Sequence, residues 1–220
     1  FDYSGKLDSN KWVYEVSNSW YNQELQATTD RLENVRVDNG LLKITAKKEN
    51  YGGKNYTSGR VRTYQKLDFT YGRVDIRAKM PSKAGTWPAL WMLGSNYASL
   101  DWPKCGEIDI LEHAGNRLNQ IQSTVHHPDN YGSGDSNVTH EYNDVSTNFH
   151  VYSLVWTEKA LTFYVDDKPF HIVGNACDLP FNWDFNIIVN VAMGGTYGGT
   201  VDPNFDFDTM EVDYVRVYQK

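Results

Sequence analysis

The segment GEIDILEHAG, residues 106–115, places three carboxylates, Glu107, Asp109 and Glu112, in a stretch whose other side chains suit a buried strand. Acids clustered in this way can divide labour. Carboxyls sharing one site cannot all ionise cheaply, so at least one is expected to hold its proton. An ionised Glu and a protonated Glu are the nucleophile and the acid that glycoside hydrolysis needs.

Regular alternation would put Glu107, Asp109 and Leu111 on one strand face and Ile108, Ile110 and Glu112 on the other. Glu112 would then be buried beside two isoleucines. One β-bulge between Ile110 and Glu112 restores the pattern and brings all three acids to a single face. Glu107 and Glu112 are then ~13 Å apart at Cα, and side chains leaning inward by ~4 Å bring the carboxyls to ~5 Å, the spacing of a retaining pair. Asp109, between them, would tune the sharing of protons. The competing readings are a solvated acidic strand or a cation site. Calcium favours a flexible oxygen-rich loop over a stiff strand with isoleucines. His113 adjoins Glu112, yet the H-E-x-x-H spacing of a zinc helix is absent.

The elements that must position these acids read as strands. Alternating or β-branched runs recur at LLKITA (41–46), GRVDIRAKM (72–80), HVYSLVW (150–156), LTFYVD (161–166), NIIVNVAM (186–193) and MEVDYVRVYQ (210–219), separated by Gly, Asn, Asp and Pro. Residues 150–173 predict a three-stranded meander with turns at TEKA and DDKP. No segment shows helical periodicity, so a doubly wound fold is excluded. The expectation is an all-β sandwich forming one domain over 1–220, a length such folds often reach as a single unit. The polar stretch 127–148 reads as a long loop that borders the site or crosses a sheet edge.

A net charge of −7 offers no basic stripe for nucleic acid or an anionic membrane, and no apolar run reaches the ~18 residues needed to span a bilayer. No signal peptide is evident, and Phe1 reads as the start of a mature or trimmed chain. Seven Trp and fifteen Tyr exceed what core packing alone requires and suit a wet groove for sugar rings, although more than half are expected in the core. Two cysteines, Cys105 and Cys177, allow at most one disulfide and exclude a thiolate metal site. Whether they pair is left open by the sequence.

With its bulge, GEIDILEHAG resembles the E-x-D-x-x-E signature of family 16 glycoside hydrolases of the laminarinase-like type, as distinct from the unbulged E-x-D-x-E of lichenases. The likeness extends through residues 22–46, YTSGRVRT (56–63), YGRVDIRAKMP (71–81), WPALWMLG (87–94), STVHH (123–127), NVAMGG (190–195) and VDYVRVYQ (212–219). It implies a β-jelly-roll of two antiparallel sheets with an open concave cleft, and retaining endo-hydrolysis of β-1,3-glucan or mixed-linkage β-1,3(1,4)-glucan.

By position, the resemblance makes Glu107 the nucleophile, Asp109 the assisting acid and Glu112 the acid/base. Trp87 and Trp91 match aromatic platforms, Asn22 a polar glycone contact, and Arg60 or Arg62 a donor to a sugar hydroxyl. His126 matches a side chain near the leaving-group sugar; His127 would face the other way. GGTYGG (194–199) replaces the family's Gly-Gly-Asn-Trp-Pro-Gly, leaving Tyr197 as the aromatic there. The apolar strand that usually precedes FDYSG is missing from the sequence. A structural calcium ion would therefore rest on the Gly40 backbone and Asp213, and no cofactor is implied for catalysis. The expected protein is a secreted or cell-surface monomer acting on β-glucan. The alternatives are a strict mixed-linkage lichenase and a non-catalytic carbohydrate-binding module. Family relatives that cut agar, carrageenan or xyloglucan are further options, and sulfated galactans suit this acidic chain poorly.

Overall fold

A computed structural model describes residues 1–132 and 137–219. Strand content of 52 % against 2 % helix settles the class as all-β. One sheet runs in the order Val13–Tyr14, Arg60–Arg62, Phe185–Met193, Thr86–Gly94, Glu107–His113, Gln120–His126, Val138–Glu141, with Asp68–Phe69 also on Phe185–Met193. The second runs Lys168–Gly174, Ala160–Val165, His150–Trp156, Gly72–Lys79, Phe207–Tyr218, Leu41–Tyr51, Lys54–Ser58, Gln26–Thr28, with Val35–Asp38 also on Leu41–Tyr51. Pairing is antiparallel except between Gln26–Thr28 and Lys54–Ser58, a parallel ladder that the sequence pattern does not reveal. The two sheets stack as a jelly-roll sandwich.

The 150–174 meander forms as expected. Its second turn is a two-residue loop, Asp166 and Asp167, with φ of 48° and 60°, the left-handed pair that matches strand twist in a tight hairpin. The polar stretch 127–148 packs Tyr131 on Trp102, which lies beside His126, and supplies the edge strand Val138–Glu141; part of it, 133–136, lies outside the described residues. Cys105 is buried and Cys177 exposed, and they do not pair.

Between the sheets Leu90, Met92, Ile108, Ile110, Leu111, Val125, Val189 and Val191 meet Ile44, Ile76, Leu154, Phe163 and Val212. Burying one such side chain is worth about 1.5–3 kcal/mol, so a one-residue slip of any central strand is strongly penalised. The apolar face thereby fixes what the opposite, outward face presents.

Candidate active site

The outward face can be mapped from the register. One row across the sheet reads Arg62, Ile188, Trp91, Asp109, Thr124; the next reads Arg60, Asn190, Ala89, Glu112, Gln122. On the other side of Asp109 lie Asn186, Leu93, Glu107 and His126. Between Asp109 and Glu112 the acid strand advances three residues while its neighbours advance two, from Trp91 to Ala89 and from Thr124 to Gln122. This is the bulge expected from the sequence. Both Ile110 and Leu111 turn into the core, 1 % and 0 % exposed, and Leu111 pairs with Leu90, so Ile110 is the inserted residue on that side. His113 falls on the core face, where its Nδ1 meets the Gln120 carbonyl at 2.8 Å. Gly106 begins the strand at φ +79°, where a Cβ would come within 2.7 Å of the Pro180 carbonyl oxygen.

The three carboxyls and His126 form one cluster. His126 Nε2 lies 3.2 Å from Asp109 Oδ2 and 3.7 Å from Glu107 Oε1. Glu107 keeps 19 % of its side chain exposed and Asp109 only 5 %, so Glu107 is the one an incoming substrate can reach. Burial pushes both well above the ordinary carboxylate range. For Glu107 the charges of Asp109 and Glu112 push the same way, while His126 and Arg60 oppose them. For Asp109 the charge of Glu112 adds to burial, and a hydrogen bond with Glu107 pulls back, as expected of two acids sharing a proton. Burial raises Glu112 too, but the indole N–H of Trp87 donates to its Oε1 at 2.9 Å and favours the ionised form.

The remaining residues singled out in the sequence fall around this cluster. Arg60 and Arg62 share the outward face, held through Glu15, whose carboxylate meets Arg60 Nε at 2.5 Å and Arg62 Nη1 at 3.2 Å. The Arg60 guanidinium lies between Trp20 and Trp91, 4.5 and 4.7 Å from the ring centroids. Trp91 also donates to Asn190 Oδ1 at 2.7 Å. Tyr197 rides on the one-turn helix Gly195–Gly198, its ring 5.4 Å from that of Trp87. Arg117 clamps it from outside, 4.2 Å above the ring and bonded to the Tyr197 carbonyl at 3.1 Å. The exposed Asn22 reaches the same turn by its backbone, accepting the Thr196 N–H at 3.0 Å. His127 packs on Phe181 of the core and so faces away from His126.

Trp102, Trp20, Glu15, Arg117 and Tyr131 escaped the sequence reading. Trp102 is 47 % exposed on the loop before the acid strand, 5.8 Å from the His126 ring and 5.5 Å from that of Tyr131. Its signal was available: a Trp-Pro step five residues before Glu107, too polar in context for a core position. Of seven tryptophans, Trp12, Trp156 and Trp183 belong to the core or pack on it, while Trp20, Trp87, Trp91 and Trp102 surround the acids. The expectation that most aromatics are core therefore fails for Trp, because the outward face of this sheet is itself lined by rings.

Gly40 and Asp213, the implied calcium donors, are neighbours across the pairing of Leu42 with Val212. They do not fit the ion. Asp213 Oδ2 accepts Arg77 Nη1 at 2.6 Å, and Lys43 and Lys79 extend from adjoining strands to Asp38 and Glu211. Calcium needs about six to eight oxygens, and here the one carboxylate is committed to a guanidinium among further cations.

Two carboxyls on a sandwich face, one reachable and one held by an N–H donor, with an acid between them and aromatic walls, define a glycoside hydrolase. The chain belongs to family 16 of the glycosyl hydrolases, whose family model matches residues 21–216. It is 42 % identical to a beta-glucanase of Rhodothermus marinus, over all of this chain and 82 % of that protein. The solved laminarinase of R. marinus superposes with a TM-score of 0.93 at 42 % identity, covering 99 % of this chain and 94 % of the other. SCLam, a non-specific endo-β-1,3(4)-glucanase, gives 0.93 at 37 % identity, covering 100 % and 88 %.

Proposed function

We propose that the protein is an endo-acting, retaining glucanase that cleaves β-1,3-glucan and mixed-linkage β-1,3(1,4)-glucan. The observation that carries this reading is the bulge that sets Glu107, Asp109 and Glu112 on one face. Glu107, more exposed than Asp109, attacks the anomeric carbon as the carboxylate that His126 and Arg60 favour, the shared proton resting on Asp109, while Glu112, kept protonated by burial, passes its proton to the leaving oxygen. The Trp87 N–H stabilises the carboxylate that Glu112 becomes. As Glu107 is esterified its charge vanishes, so Asp109 takes over the hydrogen bonds of the cluster. Glu112 then accepts a proton from the attacking water. Trp91 and the Arg60 stack offer a sugar platform and a charged donor on one side of the acids. Trp102, His126 and Tyr131 offer a second aromatic wall on the other. Asn22 and Tyr197 extend the lining beyond Trp87.

The relatives named above support a broad linkage range, since one is a laminarinase and another a non-specific endo-β-1,3(4)-glucanase. Product analysis on laminarin beside cereal mixed-linkage glucan tests it. Oligomers from both polymers are expected; cleavage of mixed-linkage glucan alone would leave the lichenase reading. No reducing ends from either would leave a binding module. Polymeric substrate cannot enter a cell, so the reading places the enzyme outside it, and the exposed site needs no second subunit.

A further inference from the structure

We propose that Glu107, Asp109 and His126 form a binding site for a zinc-like transition-metal ion, which blocks the catalytic centre reversibly when such an ion is present. One donor atom from each of Glu107, Asp109 and His126 lies within 4.8 Å of the other two. Two separations are 3.2 and 3.7 Å. Ligand atoms on a tetrahedral zinc with bonds of 2.0–2.1 Å sit roughly 3.3 Å apart, so the two contacts of His126 are already near that spacing and the two carboxylates close on the ion by side-chain rotation. Imidazole nitrogen and carboxylate oxygen are both zinc donors, and three protein ligands leave the open fourth position of a non-structural zinc site. Asp109 Oδ2 is buried with no hydrogen-bond partner, in a residue only 3 % exposed, and it is aimed at His126 Nε2. A cation there would satisfy that oxygen and offset the repulsion among the buried acids.

Imidazole selects zinc, copper or nickel over the hard ions magnesium and calcium, which prefer all-oxygen sets. The bound ion would take up Glu107 Oε1, the atom nearest His126, so metal and glucan compete for the same carboxylate.

The test uses metal-stripped whole protein and needs no turnover. Calorimetric titration with Zn²⁺ is expected to give one ion per chain, with Mg²⁺ giving none. In Glu112→Gln, which keeps the three donors and does not turn over, saturating laminaritetraose should weaken Zn²⁺ binding, and in the parent chain His126→Gln should weaken it by ~10-fold or more. Co²⁺ in place of Zn²⁺ should show the strong visible absorption of a tetrahedral site. Glu107→Gln provides a second variant, and a melting curve confirms that each is folded. Absence of binding at millimolar Zn²⁺, or an affinity unchanged in both variants or by the oligosaccharide, would overturn the proposal. Hydrolysis by the metal-free enzyme is measured separately, so a failure here leaves the glucanase reading intact, and the reverse also holds.

Discussion

Trp87 carries the most discriminating prediction, because its indole can serve as a sugar platform, as a donor to Glu112, or as both. Trp87→Phe keeps a ring against Tyr197 but deletes the N–H bonded to Glu112 Oε1 at 2.9 Å. A hydrogen bond to a charged partner is worth about 1.5–3 kcal/mol. Glu112 becomes charged only as it gives up its proton, so the loss falls mainly on the transition state. At 1.36 kcal/mol per tenfold, kcat/KM should drop roughly ten- to 150-fold. The pH profile adds a second sign. The bond favours ionised Glu112, so its removal raises the Glu112 pKa. The protonated acid then persists to higher pH, and the alkaline limb of kcat/KM moves upward. The assay is reducing-sugar release from laminarin across pH, with oligosaccharide binding measured in parallel. A variant within twofold of the parent and with an unmoved alkaline limb would refute the reasoning and leave Trp87 as a platform only.

Further outcomes follow from the same geometry. Glu107→Ser and Glu112→Gln should abolish turnover while oligosaccharide binding persists, and proton NMR of early products from the parent enzyme should show the β-anomer; initial α-anomer would exclude retention. Asp109→Asn should raise the melting temperature at pH 7 by several degrees, at about 2–4 °C per kcal/mol for a chain of this size. The sign follows from burial. A carboxyl with a raised folded pKa contributes stability below pH ~4 that is lost as pH rises through that folded pKa, so the gain should shrink towards acid. A gain that is larger in acid than at neutrality would contradict it. Trp102→Ala should raise KM for long oligosaccharides more than it lowers kcat, because the ring lies beside His126 and not on the reacting carboxyls; a pure kcat effect would show that assignment to be wrong. Calcium-selective chelation of protein already free of transition metals should leave the melting temperature unchanged, since Arg77 already holds Asp213; a drop of several degrees would restore the calcium site.

Much of this was legible before any coordinates, for identifiable reasons. The acid strand could be read because its apolar residues break period two at one place, and a broken period in a buried strand has few physical remedies. The shared face of Arg60 and Arg62 followed from the same alternation. What stayed hidden depends on contacts distant in sequence. Glu15 binds both arginines across 45 residues or more, and Arg117 reaches Tyr197 across 80. Trp87 matched an aromatic platform by resemblance, and a strand pattern does not show where the N–H of a ring points. Asp213 entered as a calcium donor through the family resemblance alone, while the guanidinium that holds it comes from another strand.

The bulge joins stability to chemistry. A sandwich sheet must give every second residue to the core, which restricts same-face neighbours on a regular strand to spacings of two and four. Glu107 and Asp109 meet that rule; an unbroken register would set residue 111 opposite Ala89 and Gln122 and turn Glu112 to the core face. The inserted residue moves the acid into that row, within reach of the Trp87 N–H, and sends Ile110 and Leu111 together into the core. The catalytic spacing is therefore held by the burial of two aliphatic side chains, each worth about 1.5–3 kcal/mol. Buried carboxyls with raised pKa values work against folding at neutral pH. The adjacent apolar residues offset that cost without any side chain leaving its face, which is why the acids sit on an interior strand of the sheet and not on a loop.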